Sequence, residues 1–381
     1  MHFEKQGRSR ASTARGSGAV AGSAVTRRVL LATAAALLLI DAAACSPMYL
    51  LRAGAAESRI LSRRRPIAEV IRDPATAAED REKLRLVIEA RDYARHVLGL
   101  DAGDSFKTYS WVESDTLLLV VSAARKDRFE AHTWWFPIVG HVPYKGFFDF
   151  DAAHREARRL DERGYDTYVR PSPAFSTLGF FDDPLLNTTL RASEVALAST
   201  VIHEVLHNTT FVPSAVAFNE SFASFVGDRG AIDFFCSRDG PQAATCRRAS
   251  LDWQDNLVFG EFLTGLVHEL ETLYARPDLS AQDKIAGRDT VFDEARLRFQ
   301  LTVEPRLNRS FRTYLDQPIN NATLIGTRLY YRRLDLFEEV WARHGRDLPS
   351  TVAAILSAIA GGGDPWQRVD ALVASLPQAR N

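Results

Sequence analysis

The sequence is poor in cysteine and histidine and carries almost no net charge. Its 381 residues include three cysteines and nine histidines, and 47 basic side chains nearly balance 48 acidic ones. No basic stripe interleaved with aromatic residues occurs outside the N-terminus, so we expect no nucleic-acid partner. Internal repeats and long linkers are also absent. We therefore predict one compact domain over residues 57–377.

The N-terminus has no apolar run of the length that spans a bilayer comfortably. Its run from Val29 to Ile40 has twelve residues, fewer than the roughly 20 that a spanning helix needs. Residues 1–28 before it are polar and basic, which is typical of a signal peptide. We therefore predict that residues 1–44 are removed during export. The pair Arg27-Arg28 leaves twin-arginine export open beside the general route.

Cys45 follows three alanines and precedes Ser46. Small residues before a single cysteine resemble a bacterial lipoprotein cleavage site, in which Cys45 becomes the lipidated first residue. An ordinary buried thiol is the alternative. On the lipoprotein hypothesis residues 45–56 are a lipid anchor and tether, and the membrane is their partner. A serine rather than an aspartate after the cysteine favours the periplasmic face of the outer membrane.

The two remaining cysteines, Cys236 and Cys246, have nine residues between them. The intervening stretch 237–241 contains Gly and Pro and can bend back on itself. An oxidising periplasm permits a disulfide at this spacing. Two free thiols in a cytosolic loop are the alternative.

Although histidine is scarce, two of the nine lie in the string His203-Glu204-Val205-Leu206-His207. Positions i and i+4 share one face of a helix, so both imidazoles can reach a single metal ion. Glu204 would lie near that metal without binding it and can take a proton from a neighbouring water molecule. Glu220 offers a third ligand. Two histidines and one glutamate with an open fourth position are the ligand set of many catalytic zinc sites.

The residues around the motif favour this interpretation. Residues 196–202 are apolar and compatible with a helix, Pro213 provides a break, and residues 218–226 have an amphipathic helical pattern. A helix, a short loop and a second helix would bring Glu220 to the two histidines. The alternative is a buried helix whose histidines are hydrogen-bonded core residues.

Helical periodicity dominates the rest of the chain and predicts an α+β fold, mainly α-helical with a small β-sheet. Strand patterns cover residues 108–121, 134–140, 144–148 and 165–169. The predicted helices outside the motif are 48–62, 67–72, 80–98, 152–163, 250–275, 280–304, 328–344, 349–360 and 365–375.

Several strings together resemble a family of bacterial lipoproteins described as zinc aminopeptidases of the gluzincin type. Beside the histidine motif, the resemblance rests on Cys45-Ser46-Pro47, Phe136-Pro137-Ile138-Val139-Gly140, Val142-Pro143-Tyr144-Lys145-Gly146, Phe175-Ser176-Thr177-Leu178-Gly179-Phe180-Phe181-Asp182-Asp183-Pro184, Phe218-Asn219-Glu220-Ser221-Phe222-Ala223 and Pro318-Ile319-Asn320-Asn321-Ala322. It covers most of the mature chain. It implies a gluzincin-like zinc peptidase with a peptide substrate, His203, His207 and Glu220 as metal ligands, and Glu204 as base and acid.

Two features depart from the wider gluzincin pattern. Many such enzymes place an aspartate four residues after the ligand glutamate, where it orients a ligand histidine, but this chain has Ser224. Asp182 or Asp183 offers a replacement, although Asp-Asp-Pro is equally an ordinary turn, and Asn219 is a further candidate for this role. The string Gly-x-Met-Glu-Asn, which holds the substrate amine in the best-known gluzincin aminopeptidases, is absent. Aminopeptidase and endopeptidase action therefore both stay open.

Gluzincins commonly use a tyrosine or histidine as an additional donor to the oxyanion. Our catalytic candidate is Tyr330, with Tyr331 beside it, and aromatic core packing is the alternative for either residue. We expect a zinc-dependent peptide hydrolase anchored in the bacterial envelope, with no indication of a protein partner. The rival is a non-catalytic envelope lipoprotein with a structural zinc ion, which would need a fourth protein ligand.

Overall fold

Helices make up most of the structure, a computed structural model that describes Gly54, Ser58 and residues 60–136, 140–172 and 184–377. Long helices with a few short strands confirm the predicted α+β class. The α-helices, in chain order from α1 to α12, are Ile67–Arg72, Ala78–His96, Phe150–Glu162, Asn187–Leu190, Glu194–Thr209, Val216–Asp239, Ala244–Tyr274, Ala281–Arg298, Asn321–Arg328, Leu334–Arg343, Leu348–Ala360 and Pro365–Ser375.

The strands of the described chain form three small sheets rather than one. In chain order β1 to β8 are Arg65–Pro66, Thr108–Ser110, Leu118–Arg125, Trp134–Phe136, Gly140–Val142, Tyr144–Phe147, Tyr165–Ser172 and Leu185–Leu186. Their orders are β1-β2-β8, β6-β3-β7 and β4-β5. In the second sheet β3 runs antiparallel to both neighbours, with Val120 opposite Gly146 on one side and Arg170 on the other.

The strand predicted over residues 108–121 is interrupted between β2 and β3. The side chain of Asn187 forms hydrogen bonds with both backbone groups of Val112. It accepts from the Val112 nitrogen at 2.8 Å and donates to the Val112 oxygen at 3.0 Å. These bonds replace those that a neighbouring strand would make. The polar residues 113–115 then bend the chain before β3 begins.

The helix predicted over residues 328–344 is also two elements. Helix α9 ends at Arg328 and α10 begins at Leu334. Arg333 between them has a φ of 53°, a left-handed conformation that a right-handed helix cannot contain. The intervening turn carries Tyr330 and Tyr331.

Helices α5 and α6 lie at the centre of the helical part and pack against each other and against α2 and α7. Val201 and Val205 of α5 are fully buried, as is Phe225 of α6. The Phe225 ring stacks on Phe337 of α10 with centroids 5.6 Å apart. Burial of each such side chain contributes roughly 1.5–3 kcal/mol. The core therefore holds the two helices that carry the predicted metal ligands.

Helix α9 is tied to the sheet β6-β3-β7 by two asparagines at its start. Asn320 caps the helix by accepting from the Thr323 nitrogen, and its amide donates to the Thr167 oxygen of β7 at 3.1 Å. The amide of Asn321 donates to the Arg125 oxygen of β3 at 2.8 Å. These bonds fix the helix that leads directly into the turn with Tyr330.

A disulfide joins Cys236 near the end of α6 to Cys246 in the first turn of α7. Between the two helices Gly240 has a φ of 96°, which glycine adopts without steric cost and which allows the chain to reverse. The bond links two long helices that both pack in the core.

The predicted signal peptide and Cys45 lie outside the described residues. The described residues from Gly54 onward belong to one structural unit. None of their helices combines the length and the apolar composition that crossing a membrane requires.

Candidate metal centre

His203 and His207 lie one turn apart on α5 with their ring nitrogens together. The helix starts after Ser193, whose side chain accepts a hydrogen bond from the Ala196 nitrogen and so pairs one N–H group that a helix start leaves open. The two Nε2 atoms are 3.2 Å apart. This separation suits a shared proton or a shared metal ion.

Glu220 reaches the histidines from the second turn of α6. The loop of residues 210–215 reverses the chain, and the Asn219 side chain fastens it by accepting from the Val212 nitrogen at 3.0 Å and donating to the Val212 oxygen at 2.9 Å. Asn219 thus braces the loop. One Glu220 oxygen then lies 3.3 Å from His203 Nε2 and 3.6 Å from His207 Nε2.

The three donor atoms have the spacing of ligands around one ion. Zinc bonds of about 2.0–2.1 Å at tetrahedral angles place neighbouring ligand atoms roughly 3.3–3.4 Å apart, and the observed separations are 3.2, 3.3 and 3.6 Å. His207 and Glu220 are buried, and His203 is partly buried. The triangle of these three atoms is close to one face of a tetrahedron. His203, His207 and Glu220 therefore form a buried group that can hold a metal, and we call it the metal group.

The charge of this group favours a cation. Burial raises the pKa of Glu220, but hydrogen bonds from His203 and His207 outweigh it, so this pKa lies well below its usual range. Burial lowers the pKa of His207, and the hydrogen bond and charge of Glu220 reverse that effect, so this pKa is raised. Glu220 is therefore an anion at neutral pH and attracts a positive charge to the imidazoles.

Glu204, which follows the first histidine, has one carboxylate oxygen that is buried and has no hydrogen-bond partner among the described residues. Leaving such an acceptor unpaired costs about 1–3 kcal/mol or more. Its charge contributes to the raised pKa of the Tyr144 and Tyr330 hydroxyls. An unpaired buried acceptor here fits a group that takes a proton from a bound molecule.

The turn after α9 is held against α6 by Ser221. The Ser221 hydroxyl donates to the Leu329 oxygen at 2.8 Å and accepts from the Arg332 nitrogen at 3.0 Å. Because Ser221 directly follows Glu220, these bonds place the turn beside the metal group. The Tyr330 ring consequently lies 6.3 Å from the His203 ring, centroid to centroid.

Tyr331 points away from the metal group. Its ring meets Phe259 and Phe311 edge-on, with centroids 5.2 and 5.6 Å apart. Of the two neighbouring tyrosines, Tyr330 thus lies at the site and Tyr331 packs in the core.

Two residues beside Tyr330 were not predicted from the sequence. Arg170 of β7 donates from Nη2 to the Tyr330 hydroxyl at 3.4 Å. Burial, followed by the charge of Glu220, raises the pKa of the hydroxyls of both Tyr330 and Tyr144. Both phenols therefore stay protonated at neutral pH. Tyr144 lies in one of the strings that carry the resemblance, whereas no local pattern marks Arg170.

A family model described as "Putative aminopeptidase" matches residues 48–362. The chain belongs to this family. The match confirms the aminopeptidase family predicted from the sequence and covers every site residue described above, while zinc, the gluzincin type and lipidation stay predictions. No curated protein and no solved structure matches the sequence.

In this aminopeptidase-family chain a partly buried aspartate lies eight residues, rather than four, after Glu220. Asp228 accepts from the Ser199 hydroxyl at 2.6 Å and from the Asn256 amide at 2.7 Å. Burial raises its pKa, and the His203 charge opposes that effect. Since Ser199 lies one turn before His203, Asp228 braces the ligand-bearing turn of α5. A sequence feature that could have indicated Asp228 is its position about two helical turns after Glu220.

The other candidates for this bracing role, Asp182 and Asp183, lie outside the described residues, and their role stays a prediction.

Helices α5 and α6 approach each other closely at Gly227. A Cβ atom there would lie 2.7 Å from the Ser199 carbonyl oxygen and 3.1 Å from the His203 Cβ. The first contact is with backbone, which cannot swing aside as a side chain can. The absence of a side chain therefore lets the two ligand-bearing helices pack at the distance that the metal group requires.

We expect Gly227→Ala to lower the free energy of unfolding by about 1–3 kcal/mol, the usual cost of overpacking, and to weaken metal binding because α6 must move away from α5. Gly265→Ala on α7 is the matched control, since no heavy atom lies within 4 Å of its new Cβ and alanine improves helix propensity by up to about 1 kcal/mol. Chemical denaturation and metal titration measure both effects. Equal stability of the two variants would contradict the close-packing role.

Proposed function

We propose that this chain is a zinc-dependent peptide hydrolase in which His203, His207 and Glu220 hold the metal and Glu204 is the general base. The observation that carries the proposal is the pairing of a three-donor group at ligand spacing with an unpaired buried carboxylate oxygen beside it. A core packing role for the histidines would not explain the unpaired oxygen of Glu204.

The donor set supports zinc and an open coordination position. Two imidazoles and a carboxylate are typical ligands of catalytic zinc, whereas structural sites usually have four protein ligands. Within the described ranges, no fourth His, Cys, Asp or Glu joins the group. This favours a catalytic site over the structural zinc of the rival hypothesis.

Zinc in this position would lower the pKa of a bound water molecule and polarise the carbonyl of the cleaved bond. Glu204 would then accept a proton from the attacking water and pass it to the leaving amine. Tyr330 would donate to the developing oxyanion. Arg170 donates to the Tyr330 oxygen, so the Tyr330 hydroxyl proton does not point at Arg170. This proton is therefore available to the oxyanion.

We further propose that the protein is lipid-anchored through Cys45 at the periplasmic face of the outer membrane. The sequence around Cys45 supports an anchor, and the Cys236–Cys246 disulfide supports an oxidising compartment. Metabolic labelling with a radioactive fatty acid tests the anchor, and Cys45→Ala should remove both the label and the membrane association. Unchanged labelling of Cys45→Ala would contradict it.

Metal removal tests the catalytic proposal. We expect the chain from residue 46 onward to hydrolyse members of a mixed peptide library, to lose this activity after chelation, and to recover it with one equivalent of zinc. Mass spectrometry of the products identifies the cleaved bonds and separates aminopeptidase from endopeptidase action. Hydrolysis that survives complete chelation, or a zinc-loaded chain that cleaves nothing, would contradict the proposal.

A further inference from the structure

Arg170 is a partly buried cation that no carboxylate neutralises within the described ranges. Of its five N–H donors, one has an acceptor there, the Tyr330 hydroxyl. Among the buried and partly buried arginines of the described ranges, Arg288 pairs with Asp166 at 2.6 Å and Arg229 with Glu338, whereas Arg328 and Arg332 each have a buried Nε without a partner. Because buried charges are normally paired, an anionic ligand bound here would neutralise the charge that the described residues leave unmatched on Arg170.

The position of Arg170 places this charge close to the metal group. Its guanidinium carbon lies 6.0 Å from the centre of the Tyr330 ring, and that ring lies 6.3 Å from the His203 ring. These two distances together connect Arg170 to His203, a proposed metal ligand. Four residues of an extended peptide substrate, at about 3.3–3.6 Å each, are as long as the two distances combined.

The surroundings of Arg170 suit an anionic group. Tyr144 of β6 lies opposite Ser122 of β3, and Arg170 of β7 lies opposite Val120, two positions away, so both side chains lie on one face of the sheet. Because burial raises the pKa of the Tyr144 hydroxyl, this hydroxyl is protonated and can donate to an anion beside Arg170. The planar fork of a guanidinium matches the two oxygens of a carboxylate, and arginine keeps its charge at every physiological pH.

We propose that Arg170, together with the Tyr144 hydroxyl, forms an anion subsite that binds a carboxylate of the peptide substrate within four residues of the cleaved bond. This inference rests on the proposed peptide hydrolase function. The carboxylate has two sources, the free C-terminus of a short peptide or the side chain of an aspartate or glutamate. The chemistry is the same for both.

Two matched pairs of unblocked peptides test the subsite and separate the sources. One pair differs only in a C-terminal acid or amide, and the other has C-terminal amides and differs in glutamate or glutamine next to the cleaved bond. For at least one pair, wild-type kcat/KM should be about 10- to 100-fold higher for the carboxylate member, as a charge-assisted hydrogen bond predicts. The pair that shows this preference identifies the source.

Arg170→Gln should bring the ratio of kcat/KM for the carboxylate and neutral members to about one, whatever rate both members lose through Tyr330, and Arg170→Lys should restore part of the preference. Arg155→Gln, at an exposed arginine of α3, is the control and should keep the full preference. The proposal is overturned if wild type shows no preference in either pair. It is also overturned if Arg170→Gln slows both members equally, since Arg170 would then act only through Tyr330.

Binding to the chelated protein separates this inference from the proposed function. Calorimetric titration of metal-free wild type with the same peptides should show tighter binding of the carboxylate member, and Arg170→Gln should equalise the two. Selective binding without any hydrolysis would support the subsite and refute the peptidase proposal. Hydrolysis without selective binding or cleavage would refute the subsite alone.

Discussion

Glu204→Gln is expected to keep the metal bound and to lower kcat/KM for peptide hydrolysis by about 10²- to 10⁴-fold, the usual contribution of a general base. The amide has nearly the same shape as the carboxylate but cannot accept the proton of the attacking water. The change also removes a charge whose Oε2 atom is buried without a partner. We therefore expect the free energy of unfolding to stay unchanged or to rise, as it often does when a catalytic charge is removed.

Glu194→Gln is the matched control for this substitution. Glu194 lies in the first turn of the same helix α5, and its side chain is exposed, so its loss should leave turnover within about twofold. Zinc content by elemental analysis and initial rates on one peptide measure both variants. If Glu204→Gln binds one zinc per chain and keeps its full turnover, Glu204 is not the general base.

Features that depend on a single helix could be predicted from the sequence. The pairing of His203 with His207 requires only the helical spacing of i and i+4, and the structure places their nitrogens 3.2 Å apart. The helix predicted over residues 67–72 from Pro66 and the helix predicted over about 365–375 match α1 and α12. Glu220 needed one further step, a short loop that reverses the chain, and Pro213 indicated that loop.

Features that depend on distant parts of the chain could not be predicted in the same way. Arg170 reaches the site through the pairing of β7 with β3, and strand partners cannot be deduced from the alternation of side chains alone. Tyr330 is held beside Glu220 by the hydroxyl of Ser221, more than a hundred positions earlier in the chain. A serine in a helix is too common to indicate such a contact, so Tyr330 could be proposed but not positioned.

Glu220→Gln is expected to release the metal while the fold stays intact. The amide occupies the same space but carries no charge, and the charge of Glu220 is what attracts a cation to the two imidazoles. Loss of an outer hydrogen-bond partner of a ligand costs about 10- to 100-fold in metal affinity. Since we propose Glu220 as a ligand itself, we expect the Kd for zinc to rise by more than about 100-fold.

The comparison of Glu220→Gln with Glu204→Gln decides between the two roles, because the chemical change is the same at both carboxylates. The first variant should lose zinc and activity together and regain part of its activity in excess zinc. The second should retain zinc and stay inactive at any zinc concentration. If Glu220→Gln binds zinc with wild-type affinity, Glu220 is not a ligand, and the proximity of its oxygen to both histidines at 3.3 and 3.6 Å reflects only an ion pair in the core.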